Sequence, residues 1–156
     1  MVPEPEPDIS AYAEVLADGL EAAIPTWVVG SVQRVMMAWA GRITPDVAEA
    51  AEVAGQQARS DTGTAVRVLL MSDIDDQRTT PLALLRQAVK YPTDVLRSAG
   101  VPPVERDRFS VEAFPDDDYD LSPTSFADVD PALAEAGIVW GAAKAFVHKR
   151  RHGSPA

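Results

Sequence analysis

The sequence predicts an all-α fold: a single bundle-like domain of about six helices, with an acidic, Pro-punctuated loop before the last helix. Three observations carry that prediction. Apolar residues recur at three- and four-residue spacing along most of the chain. Cap-then-proline pairs, Thr44-Pro45 and Thr80-Pro81, mark helix starts, while Gly41 and Gly100 mark helix ends. Strand pairs joined by hairpin dipeptides are missing from the sequence, and no internal repeat is visible.

The elements follow in order. A first helix is expected over Ile9–Ala23, capped by Asp8 or Ser10, with Tyr12, Val15, Leu16 and Leu20 at helical spacing. Pro25 fits the first turn of a second helix that runs to Ala40. Trp27, Val28, Val32, Val35, Met36 and Trp39 cover most of its circumference, which marks a central core helix. Thr44-Pro45-Asp46 opens a third, Ala-rich helix that Asp61-Thr62-Gly63 breaks or weakens after Arg59. Thr64 to Ser72 reads as helix, although Val66, Val68 and Leu70 also alternate as in a strand. Thr80-Pro81 starts a helix carrying Leu82, Leu84, Leu85 and Val89. Tyr91-Pro92 ends or kinks it, and Thr93 to Ala99 continues it as far as Gly100. Arg106 to Ala113 makes one more short helix.

Phe114 to Pro131 differs in kind, with three prolines, six aspartates and few aliphatics. Phe114, Tyr119, Leu121 and Phe126 are spaced through it as if to strap it onto the core. The last helix is expected from Pro131 to about His152, capped by Asp130, with Ile138, Val139, Trp140, Ala143, Phe146 and Val147 facing inward. In domain terms, residues 1–8 form a flexible Pro/Glu arm, 9–152 one helical domain and 153–156 a disordered tail.

Composition narrows the chemistry. The 156 residues include no Cys and two His, with 14 Lys+Arg against 24 Asp+Glu for a formal charge of −10. Without Cys there are no disulfides, zinc-thiolate sites or thiol catalysis. The acidic balance argues against nucleic acid as a partner. That charge is unevenly spread. Residues 1–24 hold six acids and no bases, 25–100 eight of each, 101–137 ten acids and two bases, and 138–156 four bases and no acids. Met1 to Asp8 lacks the basic and apolar regions of a secretory signal. The longest apolar stretch, Ile24–Ala40, is short for a bilayer span and interrupted by Gln33 and Arg34, which favours a buried helix over a transmembrane segment. A cytoplasmic protein is expected.

Candidate sites are few. Asp116, Asp118 and Asp120 alternate as at the start of a calcium loop, but Leu121 stands where that loop needs glycine and Ala127 where it needs glutamate. Asp73, Asp75 and Asp76 beside Arg78 could hold a metal or do acid–base work, but they also suit a helix junction. His148 and His152 lie four apart, yet they flank Lys149-Arg150-Arg151, whose charge repels a cation. Being the only histidines, they leave little room for a nucleophilic triad. Lys144, Lys149, Arg150 and Arg151 form a weak basic tail that could contact an anion. No Gly-rich phosphate loop is present, and no cofactor is expected. Trp27, Met36, Trp39, Trp140 and Phe146 are either core or interface.

The motifs Asp75-Asp76-Gln77-Arg78-Thr79-Thr80-Pro81-Leu82, Tyr91-Pro92-Thr93, Gly100-Val101-Pro102-Pro103, Asp116 to Ser122 and Trp140-Gly141-Ala142-Ala143-Lys144 resemble those of small, uncharacterised helical proteins of high-GC actinobacteria. The resemblance covers roughly residues 25–151 and implies no activity and no site residue.

These readings point to a non-enzymatic interaction or regulatory protein that binds another protein or self-associates through Ile24–Ala40 or Ile138–Val147. The alternative is a small enzyme or a metal- or ligand-binding module built on Asp73, Asp75, Asp76 and Arg78, joined by Asp116 to Asp120.

Overall fold

A single helix, α1, runs unbroken from Ile9 to Ala40 and serves as the axis of the molecule. Its length is about 48 Å at the standard helical rise. The computed structural model describes residues 9–71 and 80–152, so the arm at 1–8 and the tail at 153–156 lie outside it. Pro25 does not start a second helix; it sits inside α1. A mid-helix proline loses one backbone hydrogen bond. Here Leu16, Leu20, Ile24, Val28, Val32 and Met36 repeat every fourth residue across it and are all buried. Keeping one apolar stripe in phase on both sides of Pro25 outweighs the missing bond. The solvent side of α1 keeps Gln33, Arg34, Met37 and Trp39 exposed, so its burial is a broad stripe and not the full circumference.

Gly41, with φ +70°, turns the chain back, and its N–H donates to the Met37 carbonyl at 3.0 Å. Thr44 then caps α2 (Pro45–Ala58), its hydroxyl accepting from the Val47 N–H. The Asp61-Thr62-Gly63 segment does not end this helix. Arg59–Gly63 widens into one π-helical turn and passes directly into α3 (Thr64–Met71). The Val66–Met71 stretch is therefore helix, with Val66 and Leu70 buried four apart.

The α2–α3 arm lies antiparallel to α1. Gly55 sits over Pro25 so closely that a Cβ there would meet the Pro25 carbonyl oxygen at 3.0 Å. Farther along, Arg67 reaches back to α1, donating from Nε to Glu21 at 2.7 Å and also pairing with Asp18. That pairing holds the Glu21 carboxyl below its ordinary range, with the Arg67 hydrogen bond as the largest cause.

Helix α4 (Thr80–Gln87) meets α5 (Lys90–Ser98) at a turn over Ala88 and Val89. The break falls ahead of Tyr91-Pro92, because Pro92 then occupies the first turn of α5, where its absent N–H has no partner to lose. Gly100, with φ +79°, closes α5. Asp107 caps the short α6 (Arg108–Ala113), accepting from the Ser110 N–H at 2.7 Å. After the acidic segment come α7 (Phe126–Val129), a 3₁₀ turn at Pro131–Leu133 and α8 (Ala134–His152). Asp130 caps that junction, accepting from the Ala132 N–H.

Helix α8 runs back along α1, with Leu133 packed on Gly19 and Val139 beside Tyr12 and Val15. Its inward face is Trp140, Ala143, Lys144 and Val147. Ile138, Val139 and Phe146 are exposed, contrary to the helical-wheel expectation. The register is set by Trp140, whose ring meets Phe126 edge-to-face at 6.3 Å. The architecture is all-α, with no strand among the described residues and six helices of eight residues or more. Helix α1 is long and apolar enough to cross a membrane, but half of its most apolar window is buried against the surrounding helices, as befits a core helix.

Candidate functional site

The residues singled out in the sequence separate into three groups. Trp27, Met36 and Trp140 are buried in the core. Trp39, at 50% exposure, and Phe146, at 45%, do face solvent. Lys144 is buried, its ammonium lying 5.9 Å from the Trp140 ring centroid, so it is no part of a basic tail. Lys149 is exposed. Asp73, Asp75, Asp76 and Arg78, with the side chains of His148, Arg150, Arg151 and His152, lie outside the described residues.

The acidic segment is strapped down. Asp117, which breaks the 116–118–120 alternation, is the residue that organises it. Its buried carboxylate accepts from the Leu121 N–H at 2.7 Å and the Ser122 N–H at 2.9 Å. That turn carries Asp120 in the left-handed region, at φ 56°. Asp118 pairs with Arg97 at 2.7 Å, which strengthens the Arg97 proton affinity. The Tyr119 hydroxyl donates to the Val101 carbonyl at 2.7 Å, and its pKa is raised, first by burial and then by Asp118. Arg86 and Arg106 donate to the Pro123 and Phe114 carbonyls. Asp128 accepts from the Thr124 hydroxyl and N–H, which hold its carboxyl below the ordinary range. Asp116, Asp118 and Asp120 thus do not converge. Among the described residues no three His, Cys, Asp or Glu side chains gather as metal ligands.

What the fold does create is a pair of clefts on the two flanks of α5. On one flank, α2 and α5 leave an open groove of about 620 Å³. Val47, Ala50, Ala54, Val95 and Ala99 give it apolar walls, and Val53, 55% exposed, stands on its lip. Asp46, Glu49 and Asp94 contribute its charge, and among the described residues no Lys or Arg lines it. Tyr91 closes one end, its hydroxyl donating to Asp61. Burial, then that carboxylate, push the phenol up to about 12.

On the other flank, α4, α5 and the strap enclose a cleft of about 560 Å³. Arg86, Lys90 and Arg97 line it, facing Asp116 and Asp117. Neither cleft was visible as a motif. Arg86, Lys90, Thr93 and Arg97 come from a segment whose acids and bases balance. Only the 90–93–97 helical spacing hinted that cations and a hydroxyl share a face. No protein-family model, curated protein or solved structure matches this chain.

Proposed function

We propose that the protein is a non-enzymatic interaction protein whose α2–α5 groove receives a basic amphipathic helix of a partner protein. The α2–α5 groove carries this reading: apolar walls with carboxylates as its charged groups. A helix laid in such a groove buries its apolar residues against Val47, Ala50, Val95 and Ala99, while its Lys or Arg residues meet Asp46, Glu49 and Asp94. The charges speed encounter and select the sign of the partner, and the apolar contacts supply most of the affinity. A cytoplasmic setting belongs to the same proposal and rests on the sequence.

The test is fluorescence anisotropy with a labelled Leu/Lys amphipathic model helix and its Leu/Glu counterpart. The Lys peptide binds, weakens as salt is raised, and loses about tenfold or more in affinity to the exposed-site variant Val53→Lys. Equal binding of the two peptides, or no effect of Val53→Lys, contradicts the proposal. So does a concentration-dependent mass in light scattering that Val53→Lys abolishes, which assigns the groove to self-association.

A further inference from the structure

The second cleft carries an inference independent of the groove. It contains three cationic side chains in a molecule whose formal charge is −10. Lys90 and Arg97 project from α5 on either side of Thr93, one helical turn in each direction. Arg86 enters from α4, fixed by the Pro123 carbonyl at 3.0 Å and by stacking on Phe114, 5.5 Å from its ring centroid. Arg97 is held by Asp118, so both guanidinium groups are restrained before any ligand arrives, while the exposed Lys90 completes the cationic lining.

Thr93 supplies the second observation. It is 1% exposed, and its hydroxyl Oγ1 finds no hydrogen-bond partner among the described residues. A buried hydroxyl left unpaired is costly, and a ligand oxygen that displaces the atoms covering Thr93 in the cleft it lines would remove that cost. A stripe of cation, hydroxyl and cation with a facing guanidinium matches a tetrahedral dianion. The cleft is too large for phosphate alone, and its far wall carries the exposed Asp116, whose carboxylate repels phosphate but accepts from hydroxyl groups.

We infer that the α4–α5–strap cleft binds a small organic phosphate with a hydroxyl-bearing body, of the sugar-phosphate class. Its phosphate lies toward Arg86, Lys90, Thr93 and Arg97, and its hydroxyls lie toward the strap.

Isothermal titration calorimetry on the full chain tests this with ribose 5-phosphate, ribose and inorganic phosphate at matched ionic strength. Ribose 5-phosphate binds at least about tenfold more tightly than either other probe. Lys90→Gln, at an exposed position, lowers its affinity about tenfold. Thr93→Val also weakens binding while leaving the unliganded melting temperature unchanged or higher, because it removes an unpaired buried hydroxyl. A purely structural Thr93 would not separate those two readouts. The inference is overturned if ribose 5-phosphate binds no better than ribose or inorganic phosphate, or if either variant binds like the parent chain.

Discussion

The two flanks of α5 are built from the same nine-residue helix and present opposite chemistry. Toward α2, Tyr91, Asp94, Val95 and Ser98 face an open apolar groove whose charged lining, among the described residues, is Asp46, Glu49 and Asp94. Toward α4 and the strap, Lys90, Thr93 and Arg97 face a cleft whose near wall is positive. The difference arises from helical periodicity. Residues 90, 93 and 97 share one face, and 91, 94, 95 and 98 share the next, so a locally mixed sequence resolves into two signs. The walls opposite differ as well. The α2 wall is a regular helix set by close backbone packing on α1, whereas the strap is irregular and set by side-chain hydrogen bonds, those to the buried Asp117 carboxylate among them. Each flank is therefore open to damage by a different kind of substitution.

The largest separation is expected from Asp117→Ala. It strands the Leu121 and Ser122 N–H groups in a buried turn and costs about 2–4 kcal/mol of unfolding free energy. Urea denaturation measures the loss, and binding in the α4–α5–strap cleft falls with it while the α2–α5 groove keeps its affinity. Next comes Gly55→Val, which pushes α2 off the Pro25 backbone and costs roughly 1–3 kcal/mol. Thermal unfolding reads that loss, and here the α2–α5 groove suffers and the strap does not.

The smallest effects are in the pH dependence. Glu21 titrates below its ordinary 4.5 when folded, so its pairing with Arg67 stabilises the fold fully above that value and is lost as pH falls through the folded pKa. The pair is partly solvated, so the loss is small. Tyr91 is raised from 10.0 to about 12, so its contribution holds below pH 10 and disappears as pH rises through the folded value. The ultraviolet difference titration of the parent chain against Tyr91→Phe locates that midpoint.

Much of the fold was legible in the residues themselves. The caps at Thr44 and Asp130 and the glycine stops at Gly41 and Gly100 are local signals, and each appears in place. Pro25 misled because a proline at a helix start and one tolerated inside a long helix look alike in sequence. Only packing against Gly55 and α3 separates them. The faces of α8 were misjudged for a related reason. Its apolar residues surround the helix, and the contact of Trp140 with Phe126, fourteen residues upstream, chooses which of them turn inward.

The candidate site was less legible still. Each cleft joins segments distant in the chain, and the balanced charge of residues 25–100 hid the cations of α4 and α5. Asp117 passed unnoticed because the alternation of its neighbours suggested metal ligation, whereas its burial beneath the turn is a tertiary fact.

Calorimetry with both ligands present tests the central claim most directly, namely that α5 separates two recognition surfaces of opposite charge. The Leu/Lys helix and ribose 5-phosphate are expected to bind the same molecule together, with Val53→Lys removing only the first and Lys90→Gln only the second. Mutual exclusion of the two ligands, or loss of both through either variant, would contradict the account.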